Sequence, residues 1–286
     1  MKTILKVAVQ KSGRLSEASL KLISECGVSF PARIAKLKAQ AFNFPVELLY
    51  LRDDDIPGYV ADRVSDVGII GENVLLEKGV KLEVVQRLGF SKCRLCIAVP
   101  KDFNYQGNTS LQGLNIATSY PRILGDYLEK NGVKAHIHQI SGSVEIAPSI
   151  GLAEAVCDIV STGSTLVSNG LVEVETLLKS EAVLVAHPHL EEEKQQILEQ
   201  LLFRIRSVKA ANNNKYILLN APNEAIDKIT SLLPGMRSPT VLPLAQPGWS
   251  SLHSVVNEDD FWEVIEKLRQ AGAEGILVVP IEKMIL

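Results

Sequence analysis

The chain has 286 residues, 46% of them hydrophobic and 22% charged. That is enough for two or three domains with real cores and too apolar for a disordered polymer. A formal net charge of −3 excludes a general nucleic-acid or membrane-surface binder, so any anion site has to be local.

In chain order, the start reads as a first strand over residues 4–9 rather than as a signal peptide, because no long apolar stretch or small-residue cleavage site is present. Ser16 is an expected N-cap of a helix carrying Leu15, Leu22 and Cys26 on one face, closed by Gly27. Short β-branched runs at 46–51, 66–70, 82–88 and 94–99 read as further strands. A second unit begins near residue 101, with a strand over 114–118, a helix over 123–131, a strand over 134–140, a helical approach over 150–156 and a short strand over 158–160. Alternation of this kind predicts mainly parallel sheets covered by helices. Apolar residues from Ile197 to Val208 then follow a period of 3.6 behind an acidic first turn, an amphipathic helix. The polar run Ala210-Ala211-Asn212-Asn213-Asn214 reads as a linker. Beyond it lie a strand (215–220), a helix (223–233), two strands (239–244, 252–256), a helix (259–271) and a strand (275–279). That β-α-β-β-α-β order is the ferredoxin-like split unit, a type that often binds small regulators. No uncharged apolar run reaches the roughly 18 residues a membrane span needs. Four scattered cysteines suit a reducing compartment, and the expected location is the cytoplasm.

The strongest local chemistry lies at residues 158–166. A strand ends at Asp158-Ile159-Val160, and the hydroxyls and N–H groups of Ser161, Thr162, Gly163, Ser164 and Thr165 can converge on a phosphate. Asp158 suits ribose hydroxyls or a metal-bound water, and Glu145 thirteen residues earlier offers a second carboxylate. The same residues also fit a plain polar turn after a buried strand. Gln10-Lys11-Ser12-Gly13-Arg14-Leu15 follows a strand and precedes a helix, a place for a phosphate tail, although it has the spacing of neither a dinucleotide fingerprint nor a P-loop. Asp53, Asp54 and Asp55 suit either Mg²⁺ or a solvated helix cap. Cys93-Arg94-Leu95-Cys96 reads as a buried thiol pair rather than half a zinc site, since no second pair exists. His136, His138, His187 and His189 have no spacing that favours metal, and no GxSxG signature supports a hydrolase triad.

Six segments occur in one order: residues 10–15, Leu51-Arg52-Asp53-Asp54-Asp55-Ile56-Pro57-Gly58, residues 68–74, Thr118-Ser119-Tyr120-Pro121, residues 142–148 and residues 158–166. With Leu233-Pro234-Gly235, Ser238-Pro239-Thr240 and Pro280-Ile281-Glu282-Lys283-Met284 they extend over the chain. In this the sequence resembles the long form of the ATP phosphoribosyltransferase family of histidine biosynthesis. The resemblance implies two α/β lobes like those of periplasmic binding proteins, plus a regulatory domain that binds histidine. Lobe I would span residues 1–100 with a return at about 180–210, which the strand pattern itself does not reveal. Lobe II would span 101–179 and the regulatory domain 211–286.

It further implies the joining of ATP to 5-phosphoribosyl 1-pyrophosphate (PRPP) with Mg²⁺. Ser161, Thr162, Gly163, Ser164 and Thr165 would hold the ribose 5′-phosphate, and Glu145 and Asp158 its hydroxyls. Lys11, Arg14 and Arg94 would face the phosphates across the cleft, Tyr120 would pack on a purine, and Leu15, Asp66 and Glu72 would line the nucleotide site. The metal ligands are not fixed by it. Asn220, Met236 and Thr240 would meet a regulatory histidine, with Asn220 standing where some relatives carry an acid, which removes a charge from that contact. The family also implies a homo-oligomer, dimers assembling into hexamers. The rival reading is a two-lobed small-molecule-binding protein with an appended sensor domain.

Overall fold

The computed structural model describes residues 3–31, 37–233, 235, 236 and 238–285; Pro234, in one of the C-terminal motifs, lies outside them. Its elements are β1 (Leu5–Gln10), α1 (Arg14–Glu25), β2 (Lys38–Gln40), β3 (Val46–Leu51), α2 (Ile56–Ala61), β4 (Val67–Gly71), α3 (Glu72–Lys78), β5 (Glu83–Arg87) and β6 (Cys93–Pro100). There follow β7 (Asn115–Thr118), α4 (Pro121–Lys130), β8 (His136–Gln139), β9 (Ala155–Val160), α5 (Ser164–Ser168), β10 (Leu171–Ser180), β11 (Ala182–Ala186) and α6 (Glu192–Asn212). The last are β12 (Asn214–Pro222), α7 (Ile226–Leu232), β13 (Thr240–Pro243), β14 (Trp249–Asn257), α8 (Glu258–Gln270) and β15 (Glu274–Pro280).

These strands form three sheets, ordered β2-β3-β1-β4-β11-β5, β10-β6-β9-β7-β8 and β13-β14-β12-β15. In the first, β3, β1 and β4 are parallel, and β11 enters antiparallel between β4 and β5. The chain therefore crosses from the first sheet to the second between β5 and β6, and back between β10 and β11. Two α/β lobes joined by two crossings, with a small ferredoxin-like sheet after them, is the fold of this chain. The compact units are residues 1–21 with 28–198, which holds both lobes, and residues 22–27 with 199–286.

Burial explains the sheet order. All five residues of β11 are buried, as are Val67 to Ile70 of β4 and Val7 to Val9 of β1. Such continuous apolar runs belong to strands covered on both faces, so these sit at the centre of the first sheet. In the third sheet Ile217, Leu219 and Ala221 alternate with Tyr216, Leu218 and Asn220, the period of a strand with one covered face.

Several expectations are corrected. Residues 94–99 were expected in the first lobe, within 1–100; β6 instead hydrogen-bonds to β9 and β10 in the second sheet. The helical approach over 150–156 does not form. Gly151 turns left-handed at φ 73°, the Leu152 N–H returns to the Ala147 carbonyl at 3.0 Å, and β9 starts at Ala155. The linker at 210–214 is also absent: α6 continues through Asn212 with Ala211 fully buried, and Asn214 donates from Nδ2 to the Ala210 carbonyl at 2.7 Å. Ser16 lies inside α1, buried, rather than ahead of it. Gly27 does stand just past the end of α1, at φ 72°, donating to the Ser24 carbonyl at 2.8 Å.

Candidate active site

Parallel strands deliver their following loops to one edge of a sheet, and ligands of open α/β sheets sit at those carboxyl ends. In the first lobe that edge carries Lys11 and Arg14 after β1, the turn Asp53–Asp55 after β3, and Glu72 after β4. Lys11 and Arg14 are exposed, and Gly13, at φ 93°, turns the chain into α1. In the second lobe the corresponding edge carries Ser119 and Tyr120 after β7 and Ser161 to Thr165 after β9. A polar cavity of about 380 Å³ lies between the two edges, lined by Asp53, Asp54, Glu77 and Lys78 on one side and by Ser119 and Tyr120 on the other.

The loop after β9 has the shape an anion cradle needs. Gly163 adopts the left-handed conformation (φ 83°, ψ −4°) and starts α5, so the N–H groups of the following residues have no acceptor within the helix. Thr162 Oγ1 and Ser164 Oγ lie 3.0 Å apart, and every residue from Ser161 to Thr165 is exposed except half-buried Gly163. Glu145 stands on a short 3₁₀ turn, Val144–Ile146, preceded by Ser143 at φ 50°. Burial pushes the Asp158 carboxyl up, the Ile159 N–H at 2.8 Å lowers it, and the Glu145 charge raises it again. The 3₁₀ turn that carries Glu145 packs through Val144 against Val156, Val160 and Leu166, beside the strand that carries Asp158.

Arg94 also reaches the loop, from the same sheet rather than from across the cleft. Its Nη1 donates to the Ser161 carbonyl at 3.2 Å, while Nε and Nη2 grip the two oxygens of Glu173 at 2.8 and 2.5 Å. That fork holds the Glu173 carboxyl below its usual range, and the pair backs onto Gly163, where a Cβ would stand 3.3 Å from Glu173 Oε1. Glu173 was not singled out by the sequence, because its role depends on a partner 79 positions away.

Tyr120 is half-buried, and burial raises its hydroxyl pKa, with the Asp158 and Asp53 charges acting in the same direction. Its hydroxyl accepts from Asn73 Nδ2 at 3.1 Å. Asn73 is a further residue missed by sequence reasoning. Its N–H donates to Ser180 Oγ at 3.0 Å, and its Oδ1 accepts from the same hydroxyl at 2.8 Å, tying α3 to the second crossing. The absence of a side chain at Gly71 is what admits it, since a Cβ there would lie 2.4 Å from Asn73 Oδ1.

Two expected nucleotide-site residues are otherwise engaged. Asp66 precedes β4, at the amino end of that strand, roughly 16 Å from the carboxyl edge at 3.3 Å per residue. Its carboxylate accepts the Lys6 N–H at 2.8 Å and pairs with Lys194 at 3.0 Å. The Asp66→Ala variant is expected to lose about 3 kcal/mol of stability, as when one partner of a buried pair is removed, with substrate KM values unchanged. Denaturant midpoints and steady-state kinetics check this together. Glu72 is gripped by Arg87, which also reaches Glu181 at 3.4 Å. Leu15 is half-buried in the first turn of α1. Of the thiol pair, Cys96 is buried and Cys93 half-buried, and burial raises both. Among the described residues no group of three or more His, Cys, Asp or Glu forms a metal cage, the Asp53–Asp55 turn included.

A family description, ATP phosphoribosyltransferase (HisG), matches residues 52–207, and a second, the HisG C-terminal domain, matches residues 211–283. The ATP phosphoribosyltransferase of Cytophaga hutchinsonii is 62% identical over 285 residues, a coverage of 100% of each chain. The chain belongs to the ATP phosphoribosyltransferase family. The Phocaeicola vulgatus member is 56% identical over 99% of this chain and 100% of its own. Among solved structures, a chain of the ATP phosphoribosyl transferase (HisG:HisZ) complex from Thermotoga maritima superimposes with a TM-score of 0.62 at 29% identity, covering 71% of this chain and 99% of that one. The protein is accordingly a glycosyltransferase that joins ATP to a phosphoribosyl group, the first step of histidine biosynthesis, and not the two-lobed binding protein of the rival reading.

In the third sheet, Asn220 lies opposite Ser251 and Thr240 opposite His253, on the face away from the helices. Met236 is exposed, its N–H donating to the Val255 carbonyl at 3.3 Å. His253 between them bridges Tyr216 Oη at 2.7 Å and Ser251 Oγ at 3.1 Å.

Proposed function

We propose that this enzyme holds PRPP on the second lobe and ATP against the first, with transfer taking place in the cleft between them. The observation that carries this reading is the gathering of Glu145, Asp158 and the Ser161–Gly163–Thr165 loop around the end of β9, with the Asp158 charge acting on Tyr120, which lines the cavity. The loop's N–H groups and hydroxyls hold the 5′-phosphate. Glu145 and Asp158 accept hydrogen bonds from the ribose hydroxyls. Arg94, fixed by Glu173, stiffens the start of the loop, and Lys11 and Arg14 bring positive charge to the phosphates from the first lobe.

Adenine N1 is unprotonated near neutral pH and needs no strong base. The difficult event is departure of pyrophosphate from C1′, which leaves an oxocarbenium-like sugar. Positioning and charge stabilisation therefore carry the rate: two carboxylates near the ribose favour the cationic sugar, and the cations of the first lobe favour the leaving pyrophosphate. Mg²⁺ fits this site as a substrate-borne ion. Hard oxygen donors are present at Glu145 and Asp158 without a closed cage, the setting in which Mg²⁺ is held by one or two carboxylates and the substrate phosphates. When bound, it supplies neutralisation of the pyrophosphate charge.

The ferredoxin-like sheet binds histidine through Asn220, Met236 and Thr240 and lowers activity when occupied, and the enzyme assembles as a homo-oligomer, from dimer to hexamer. It works in the cytoplasm, where ATP is available; no described helix is long and apolar enough to cross a membrane. The full chain incubated with ATP, PRPP and Mg²⁺ is expected to form an ultraviolet-absorbing adduct, to stop when any of the three is omitted, and to slow when histidine is added. Absence of the adduct overturns the substrate reading; indifference to histidine overturns the regulatory one alone.

A further inference from the structure

Helix α4 begins without a cap of its own. The two donors that a capping side chain normally satisfies are the second and third N–H groups of the helix, here Arg122 and Ile123. The residue in the cap position is Tyr120, which makes no capping hydrogen bond, and Pro121 follows it. The cap comes instead from the other lobe. Glu77, in the last turn of α3, accepts the Arg122 N–H on Oε1 and the Ile123 N–H on Oε2, both at 3.0 Å. A carboxylate on the positive end of a helix is favourable by charge as well as by hydrogen bonding.

The contact is reciprocal. Gly79 ends α3 in the left-handed conformation at φ 61°, and the Arg122 guanidinium occupies the space beside it, where a Cβ would stand 1.6 Å from Nη1. A cation of α4 thus meets the negative end of α3 while an anion of α3 caps α4. One turn earlier on α3, Asn73 holds the Tyr120 hydroxyl at 3.1 Å. The two lobes therefore touch beside the cleft through paired helix ends.

We propose that Glu77 is a positioning residue: its cap on α4 latches the two lobes in the spacing at which both substrates are held, and sets Tyr120 at the mouth of the cleft. This rests on the cleft being the substrate site. The latch sets the cleft in which PRPP on the second lobe and ATP on the first meet, so its loss lowers the population competent to bind either one, and by the same factor. Saturating substrate restores the closed arrangement, so turnover at saturation is retained.

The test uses the full-length enzyme with Glu77→Ala, Glu77→Gln and Arg122→Ala, with amide exchange and steady-state kinetics measured on each. Glu77→Ala is expected to speed exchange at Arg122 and Ile123 and to raise KM for ATP and PRPP alike, by about tenfold, the scale of a lost charged cap on two donors, with kcat within about twofold. Glu77→Gln, which keeps one acceptor oxygen, falls between wild type and Glu77→Ala, and Arg122→Ala moves the same constants in the same direction. Unchanged exchange at Arg122 and Ile123 overturns the latch. A rise in KM for one substrate only means Glu77 touches that substrate and overturns the positioning role, as do unchanged or lowered KM values. Protection of residues 161–165 by PRPP in the wild-type enzyme is the separate control: if it is missing, the cleft reading itself has failed.

Discussion

The Asp158→Asn variant is expected to lose activity on the order of 10²–10³-fold in kcat/KM, the scale seen when one preorganised charge-stabilising group is removed from a site, while becoming more rather than less stable. The two effects have one origin. Burial, with Glu145 nearby, raises the Asp158 carboxyl pKa in the folded chain. A carboxyl of that kind contributes stability fully below its unfolded pKa and loses it as pH rises through the raised folded value. At neutral pH the ionised side chain is therefore a cost to the fold, which an amide of the same shape relieves. The wild-type pH profile should show kcat/KM rising through the raised value of Asp158, because in the proposed site the ionised form would accept from the ribose hydroxyls. In Asp158→Asn that limb should flatten. A melting temperature that falls together with activity would make Asp158 a structural residue instead.

A loss of stability through the core of the first lobe is expected at Gly68 of β4. A Cβ there would lie 2.6 Å from Ile56 Cγ2 and 3.1 Å from Val60 Cγ2, both fully buried on α2. These atoms belong to β-branched side chains locked in the core, so they cannot swing aside as the end of a lysine would. Gly68→Ala should cost about 1–3 kcal/mol by overpacking and lower the melting temperature by roughly 2–10 °C in a protein of this size. It should also raise KM, since α2 carries the Asp53–Asp55 turn at its head. Gly58→Ala is the control. Gly58 lies on the same short helix, with open space around it, and Ala there should stabilise by up to about 1 kcal/mol through helix propensity. Equal melting curves for wild type and Gly68→Ala would mean that α2 does not rest on β4 as described.

The legible parts of this fold were those whose signal is local. The run at 46–51 matches β3 residue for residue, because it is a short apolar run bounded by turn-forming residues on both sides. In the C-terminal unit every element was bounded by its own breakers, and all six were found with ends shifted by a few residues at most. Helices α2 and α3 escaped notice because they are six and seven residues long, too short to show a period, and α2 carries Pro57 and Gly58, which read as breakers. The place of β11 in the first sheet was invisible to the strand pattern for a different reason. Its partners on β4 lie more than a hundred positions away, and nothing in Ala182-Val183-Leu184-Val185-Ala186 says which sheet it joins.

The candidate site divides along the same line. Glu145, Asp158 and Ser161 to Thr165 sit close in sequence, so their order in the chain made them candidates. Asn73, Glu77 and Glu173 act through partners 45 or more positions distant, and only the folded chain brings those partners together. Asp66, expected in the nucleotide site from the resemblance, stands at the amino end of β4 and pairs with Lys194, a partner 128 positions away that the sequence does not point to.

The claim on which the rest depends is that the loop after β9 is the ribose-phosphate cradle. Its most direct test is a crystal structure of the full chain with PRPP and Mg²⁺. The expected result is the 5′-phosphate on the N–H groups and hydroxyls of Ser161 to Thr165, with the ribose hydroxyls on Glu145 and Asp158. A ribose phosphate seated elsewhere, with that loop facing only solvent, would contradict it.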